Sequence, residues 1–222
     1  MDRHIVLEIA IKKHNPQKYM EIGLDDAKHF ASVPVRHKIG IDPVKPAIMD
    51  SLVNDNVQFF QMDSVKFLCE YPDLVSDVDM VFIDGLHEYH QVYNEVMLLM
   101  QLLKVGGRIF LHDCNPIAAY ISRSFFTMSP AEYKNPGPWS GDVWKAILLL
   151  RQLYPEWGIK VLDIDGGIGF IKKEREFDQR VVPDSLWEKI DKLKYDDLRS
   201  HRYEYLNLRP ISGKPLSQKK KQ

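Results

Sequence analysis

The sequence predicts an α/β fold: a mostly parallel, seven-stranded sheet that ends in an antiparallel hairpin, with helices on both faces. Short apolar runs alternate with amphipathic segments, which is the pattern of strands connected by crossover helices. The run VDMVFIDG at 78–85 is almost continuously apolar, which is typical of a strand buried on both faces. The segment IKVLDIDGGIGFIKK at 159–173 predicts two strands joined by a glycine turn.

Strands and helices alternate regularly through the first half of the chain. Strands are expected at 18–23, 37–42, 57–63, 78–85 and 108–113. Helices are expected between them at 25–33, 43–55, 64–71 and 89–103. The helix at 89–103 has the clearest period, because its apolar side chains form one stripe made of Tyr89, Val92, Tyr93, Val96, Leu99, Met100 and Leu103. The following KVGG then ends this helix.

The second half is less regular. Aromatic residues mix with Pro, Gly and Ser at 115–141, which predicts a loop, and helices are expected at 142–154 and, on the surface, at 184–198. We therefore divide the chain into an N-terminal helix (1–17), an α/β domain (18–175) that contains the loop, and a C-terminal helix with a basic tail (176–222). The tail, SQKKKQ, is expected to be a solvated terminus.

Composition excludes several classes of protein. A formal charge of -1 and a pI near 6.7 argue against a nucleic-acid binder. Cys69 and Cys114 fit no metal-binding spacing, so we expect two reduced thiols. The N-terminal apolar run is too short for a signal peptide, and no run approaches the ~18 apolar residues of a membrane helix. We expect a soluble, cytoplasmic protein with no membrane contact.

Acidic residues stand at or near the ends of all five leading strands. They are Glu21, Asp42, Asp63, Asp84 and Asp113. A single acid at such a position is explained by helix capping, but five along one rim indicate a binding site, because ligands bind at the carboxyl ends of parallel strands. A rim of carboxylates repels phosphates and suits hydroxyl groups, amines, a sulfonium cation or a metal.

One block of sequence resembles a known family. FIDGLHEYHQVYNEVMLLMQLLKVGGRIFLHDCNP contains Asp-Gly-x-His-x-Tyr, Leu-Lys-x-Gly-Gly and His-Asp in order. It resembles the class I S-adenosylmethionine-dependent methyltransferases, in particular the small O-methyltransferase-like branch (methyltransferase family 24) that includes macrolide-sugar O-methyltransferases. The resemblance runs from about residue 18 to 173 and also includes GDVWKAI and GIGFIKK. It implies a Rossmann-like sandwich and S-adenosylmethionine as cofactor.

The resemblance assigns cofactor-binding roles to the strand ends. It implies that Asp42 holds the ribose hydroxyls, since a carboxylate accepts both hydroxyl protons. Asp63 with the neighbouring Ser64 matches the position that reads the adenine amino group. Asp84 lies beside the methyl-donor pocket. Glu21 and the loop that follows it match the segment along the methionine part of the cofactor.

The loop EIGLDDA departs from the family pattern. Gly23 is present, but Ala27 stands where the last glycine is usual. We expect the backbone to pass if φ is negative at Ala27. Asp25 and Asp26 could cap the next helix, contact the ammonium group of the cofactor, or crowd the pocket. We interpret the loop as a working variant.

The resemblance also implies a metal and a base. Asp84 and Asp113 match magnesium-binding positions, and His87 matches the general base that removes a hydroxyl proton. His112 is a candidate third ligand, which would suit Mn²⁺ better than Mg²⁺; alternatively it is a buried histidine bonded to backbone. Asn115 is a candidate ligand or, as we favour, a helix cap before Pro116.

The predicted function is a metal-assisted O-methyltransferase that uses S-adenosylmethionine and Mg²⁺ or Mn²⁺. The acceptor is expected to be a small hydroxylated molecule, a sugar or glycosylated metabolite. Aromatic residues in or beside the 115–141 loop either cover the acceptor or form a subunit contact in a homodimer; they are Phe125, Phe126, Tyr133, Trp139 and Trp144. The alternatives are an inactive binding module and a metal-dependent enzyme without S-adenosylmethionine.

Overall fold

The computed structural model describes residues 3–129, 131–132 and 137–210. Eight strands form one sheet in the order β3-β2-β1-β4-β5-β7-β6-β8. They are β1 (Lys18–Ile22), β2 (His37–Ile41), β3 (Val57–Phe60), β4 (Met80–Ile83), β5 (Arg108–Leu111), β6 (Lys160–Leu162), β7 (Ile168–Lys172) and β8 (Leu208–Arg209). The first five run parallel and β7 pairs antiparallel with β5, as the sequence predicts.

Nine α-helices are described. They are α1 (Arg3–His14), α2 (Lys28–Ser32), α3 (Met49–Leu52), α4 (Ser64–Glu70), α5 (Pro72–Val75), α6 (Tyr89–Leu102), α7 (Val143–Leu153), α8 (Asp184–Asp191) and α9 (Tyr195–Leu206). In the described chain no helix combines the length and the apolar character needed to cross a membrane.

The two faces of the sheet support two separate cores. Side chains alternate along each strand, so Val81 and Ile83 of β4 face one layer while Met80 and Phe82 face the other. The first layer is built by α4 to α9, and the second by α1 to α3. The sandwich predicted from the alternating pattern is therefore confirmed.

Three elements differ from the sequence-based expectation. The sheet has an eighth strand, because β8 adds to β6 in parallel. The helix expected at 43–55 is only the single turn α3, since Pro43 and Pro46 hold the residues before them out of the helical region. The surface helix expected at 184–198 is split into α8 and α9 at the extended Lys194, and Ile190 and Leu198 are fully buried.

The sheet topology fixes where a site can form. β1 lies between β2 and β4, so the connections after β1 and after β4 leave the sheet in opposite directions. In register, Ile22 pairs with Ile83, and Ile83 pairs with Leu111. The residues that follow these three strands therefore meet at one edge, which is the usual ligand position in open parallel sheets.

Candidate active site

A cavity of about 990 Å³ opens at the carboxyl ends of the parallel strands. Every residue for which the sequence predicts a catalytic, cofactor or metal role lines it. These residues are Glu21, Gly23, Asp25, Asp42, Asp63, Ser64, Asp84, His87, His112 and Asp113. The volume is in the range of small-molecule and cofactor sites.

Gly23 permits the close approach of β1 and β4. Its φ is +81°, and an added Cβ would lie 2.2 Å from the backbone oxygen of Asp84. No other residue fits this position without moving one of the two strand ends. The sequence motif therefore has a direct steric reason here.

Several non-glycine residues around the cavity have left-handed backbone conformations. They are Asp25, Ala27, His87, Asp113 and Asp165, with φ between +48° and +59°. Such a conformation costs roughly 1 kcal/mol or more per residue and clusters at functional sites. The condition of a negative φ at Ala27 is not met, since its φ is +58° and its N–H donates to the carbonyl of Leu24 at 2.7 Å.

The loop after β1 is held by side chains rather than by further glycines. Asp26 accepts a hydrogen bond from the N–H of Lys28, at the start of α2, at 3.0 Å. Asp42 accepts from the N–H of Leu24 at 2.8 Å and from that of Val44 at 2.7 Å. Asp42 thus connects the loop after β1 to the loop after β2, and it also lines the cavity.

Glu21 is buried and fully engaged. It accepts a hydrogen bond from the Tyr19 hydroxyl at 2.5 Å, and His29 Nδ1 lies 3.1 Å from both of its carboxylate oxygens. Burial and the neighbouring Glu21 carboxylate raise the pKa of Tyr19 well above its ordinary value. The phenol therefore stays a donor, and Glu21 is fixed in one orientation.

Two carboxylates and two imidazoles converge beside Gly23. Asp84 Oδ1 lies 3.0 Å from His87 Nε2 and 3.0 Å from His112 Nδ1. Asp113 Oδ2 lies 3.4 Å from His87 Nε2 and 3.1 Å from His112 Nδ1. One ligand atom each from Asp84, His87 and Asp113 lie within 4.8 Å of one another, which is a donor set suited to a divalent cation.

The ion pairs shift the protonation of this cluster. Burial alone would raise the pKa of Asp84, but hydrogen bonds from His112 and His87 hold it well below its ordinary value. Burial also lowers the pKa of His112, yet the carboxylates of Asp113, Asp165 and Asp84 around its ring raise it to about 11. A doubly protonated His112 donates to carboxylates and offers no lone pair to a metal. The partners of His112 are thus carboxylates, whereas the alternative stated for this residue was a hydrogen bond to backbone groups.

Two further charged residues reach the cluster without a sequence signal of their own. Arg3, on α1, forms an ion pair through Nη1 with Asp84 Oδ2. Its backbone N–H and Nε also donate to Asp165 Oδ2, at 2.9 and 3.1 Å. Asp165 comes from the turn between β6 and β7, which the antiparallel β5–β7 pairing brings to the carboxyl end of β5. The predicted hairpin, with its antiparallel strand beside β5, could have indicated from the sequence that Asp165 lies near the site. No sequence pattern indicated that Arg3 does.

Part of the 115–141 loop covers the cluster. The carbonyl of Trp139 lies 3.2 Å from His87 Nδ1, and the two rings are 5.2 Å apart. The Ser140 hydroxyl donates to Asp113 Oδ1 at 2.8 Å. A proton on His87 Nδ1 satisfies the Trp139 carbonyl and leaves Nε2 toward the carboxylates.

The other aromatic residues differ in their placement. Phe125 lies 6.3 Å from Trp139, ring to ring, whereas Phe126 is 74% exposed. Trp144 belongs to the core side of α7 and is 1% exposed, so its expected role in the loop is wrong. Tyr133 and the lysine-rich tail lie outside the described residues.

The expected helix cap at Asn115 is also wrong. No helix begins at Pro116 in the described chain; instead Asn115 Nδ2 donates to Asp163 Oδ1 at 2.9 Å, and its Oδ1 accepts from Arg202. Asn115 therefore ties the end of β5 to the hairpin and to α9.

Comparison with known proteins concerns the family and the fold of the chain. Residues 10–114 match methyltransferase family 24, described as a methyltransferase domain. No curated protein matches the sequence.

Solved structures share the fold at low identity. MycE methyltransferase from the mycinamycin biosynthetic pathway, in complex with Mg, SAH and mycinamycin VI, is 17% identical over 81% of this chain and 51% of its own, with a TM-score of 0.50. A candidate caffeoyl-CoA O-methyltransferase from Staphylococcus aureus is 19% identical over 78% of this chain and 84% of its own (TM-score 0.51). SAH-bound methyltransferase PaMTH1 from Podospora anserina is 13% identical over 78% of each chain (TM-score 0.50).

This chain spans about half the length of MycE. At these identities the structural similarity concerns the fold, and the family match concerns the first half of the chain. Residues 10–114 therefore resemble a methyltransferase domain, and the parallel sheet with its switch point has the fold that these solved methyltransferases share.

Proposed function

We propose that this protein is an S-adenosylmethionine-dependent, divalent-metal-assisted O-methyltransferase for a small hydroxylated acceptor, a sugar or glycosylated metabolite. One observation carries the proposal: Asp84, His87 and Asp113 converge within 4.8 Å at the edge of the sheet where this fold binds its ligands. MycE, which has the same fold, is in complex with Mg, SAH and mycinamycin VI.

The cavity fits the cofactor. Gly23 leaves no room for a side chain between β1 and β4, and Asp42, Asp63 and Ser64 follow the neighbouring strands at the positions implied for ribose and adenine. Each Asp42 oxygen accepts one backbone N–H and retains a lone pair for a ribose hydroxyl. When bound, S-adenosylmethionine supplies the methyl group.

The donor set also fits a divalent cation. Asp84 and Asp113 offer oxygens and His87 offers Nε2. When bound, such an ion would polarise the acceptor oxygen and lower the pKa of its hydroxyl. Arg3 and His112 both contact Asp84, so a cation must share that carboxylate with them.

His87 is the residue that we assign to proton removal. Burial lowers its pKa, but the Asp84 hydrogen bond and the charges of Asp113 and Asp84 raise it overall. The Trp139 carbonyl orients the ring through Nδ1. Nε2 faces the carboxylates and donates to Asp84 Oδ1 when the ring is protonated. It must lose that proton before it can take the hydroxyl proton or hold a metal, and it cannot do both at once.

Calorimetric titration of the full chain with S-adenosylhomocysteine, with and without Mg²⁺ or Mn²⁺, tests the proposal. We expect micromolar affinity, followed by methyl transfer in a screen of hydroxylated acceptors. His87→Ala should leave S-adenosylhomocysteine affinity within about twofold and lower turnover by roughly 10²-fold or more. His37→Ala, at an exposed strand start, is the matched control. Absence of binding under every metal condition would exclude the proposed activity.

A second candidate is a module that kept the fold without catalysis. The observation that favours it is Arg3, whose guanidinium occupies Asp84 Oδ2, together with the strained loop at Asp25 and Ala27. This candidate predicts no transfer to any acceptor and at most weak cofactor binding. Metal binding without cofactor binding would instead favour a metal-dependent enzyme of another class.

A further inference from the structure

A polar cluster lies at the start of α4, in the wall of the cavity. Asp63 caps α4 by accepting a hydrogen bond from the N–H of Lys66 at 2.9 Å, and Ser64 is buried beside it. Gln91 and Glu95, one turn apart on α6, face these residues and also line the cavity. The cluster therefore joins two helices at the end of the cavity implied for adenine.

Glu95 is the buried centre of this cluster. It is 1% exposed, and its Oε1 accepts hydrogen bonds from the Ser64 hydroxyl at 2.5 Å and from Gln91 Nε2 at 3.2 Å. Its Oε2 is buried and accepts no hydrogen bond from the described residues. Sequence patterns did not single it out, because an acidic residue in an amphipathic helix normally marks the solvent face.

A purely structural role does not explain a carboxyl at this position. Burial raises the pKa of Glu95 to about 7, although its hydrogen bonds to Ser64 and Gln91 oppose the rise. A buried polar atom without a partner is destabilising, and an apolar side chain would continue the neighbouring core of Val92 and Val96. Such departures from good packing are expected at functional sites.

Glu95 determines which atoms Gln91 presents. Above a pH of about 7, ionised Glu95 only accepts, and the Ser64 hydroxyl donates to it, so the Gln91 atom between them must be the amide nitrogen. Both Nε2 hydrogens are then directed at Ser64 Oγ, 2.9 Å away, and Glu95 Oε1. Gln91 Oε1 accepts no hydrogen bond from the described residues, and the same amide places Nε2 3.5 Å from Asp63 Oδ2.

We infer that Glu95 is a positioning residue for nucleobase recognition. By fixing the Gln91 amide, it makes Gln91 and Asp63 a pair of acceptors that selects the exocyclic amine of adenine over the carbonyl of hypoxanthine. This inference rests on the proposed function, because it takes the adenine of S-adenosylmethionine as the ligand. Without Glu95 the Gln91 amide can turn and donate to the carbonyl of hypoxanthine. The preference for adenine over hypoxanthine is then lost, although the cavity itself remains.

The test compares two ligands that differ at this position of the base. S-adenosylhomocysteine and S-inosylhomocysteine are titrated into the full-length wild type and Glu95→Gln, and the ratio of their Kd values is measured. We expect a ratio of about tenfold or more for the wild type, since a site built for a donor rejects an analogue that lacks it. The ratio should fall to about twofold or less in Glu95→Gln. Glu70→Gln, at the far end of α4, should keep the wild-type ratio.

The ratio separates positioning from mere support of the fold, which would weaken both ligands equally. If Glu95→Gln keeps the full preference, or if the wild type binds both ligands equally, the inference is wrong while the proposed function stands. If the wild type binds neither ligand, the proposed function fails and the inference fails with it. Circular dichroism shows whether Glu95→Gln folds. If it does not, the same ratio of Kd values is measured for Gln91→Met, since Gln91 is only half-buried. A ratio unchanged from the wild type in Gln91→Met overturns the inference.

Discussion

The buried Glu95 makes a quantitative prediction about stability and pH. Its pKa is about 7 in the folded protein against an ordinary value of 4.5. Between these values the folded chain binds more protons than the unfolded chain, so the free energy of unfolding decreases as pH rises. Each pH unit of difference is worth 1.36 kcal/mol, which gives about 2 to 3 kcal/mol between pH 4.5 and pH 8.

Replacement by glutamine removes this titration while keeping the side-chain shape. The free energy of unfolding of Glu95→Gln minus that of the wild type should therefore rise by about 2 to 3 kcal/mol from pH 4.5 to pH 8. Urea unfolding of both proteins across this range measures it, and other titrating groups, such as Asp142 with a pKa of about 6, cancel in the difference. A difference that does not change with pH would refute the buried, proton-binding carboxyl and the packing on which it depends.

Three further predictions concern the cavity. Arg3→Met frees Asp84 from its cation and should tighten Mn²⁺ binding about five- to thirtyfold in calorimetry, since a partly exposed ion pair is worth about 1 to 2 kcal/mol; unchanged affinity would mean that the guanidinium does not compete. Gly23→Ala should abolish S-adenosylhomocysteine binding and destabilise the fold by about 2 kcal/mol or more, whereas Gly106→Ala, with an open surrounding, should cost about 1 kcal/mol in urea unfolding. Asp42→Ala should weaken the binding of S-adenosylhomocysteine at least about tenfold in calorimetric titration, because the variant loses an acceptor for the ribose and the hydrogen bond that holds the loop after β1. Unchanged affinity would contradict the assignment of Asp42 to the ribose.

Local periodicity was sufficient for most of the fold. The stripe of α6 and the apolar run of β4 are properties of contiguous residues, and parallel pairing then follows from the alternation of strands and helices. The same logic placed Asp84 and Asp113 side by side, because they follow neighbouring strands. The predictions were wrong where two local signals compete. At 43–55 the helical periodicity predicted a long helix, but two prolines disfavour the helix and only α3 forms.

Backbone conformation in the glycine-poor loop could not be read from residue type. Ala27 is left-handed although alanine disfavours that region, because it is fully buried and its N–H bonds to Leu24. Likewise, Asn115 has the chemistry of a helix cap, yet its partners Asp163 and Arg202 come from the hairpin and α9.

The sequence by itself determined seven of the eight strands, the strand-end acids and the resemblance to methyltransferases, since each depends on short stretches of chain. Only the tertiary structure decided which charges neutralise those acids. Arg3 is 81 positions from Asp84 and 162 from Asp165, yet it contacts both. These contacts depend on how α1 and the β6–β7 turn pack against the sheet, and packing between distant segments leaves no periodic signal in either one.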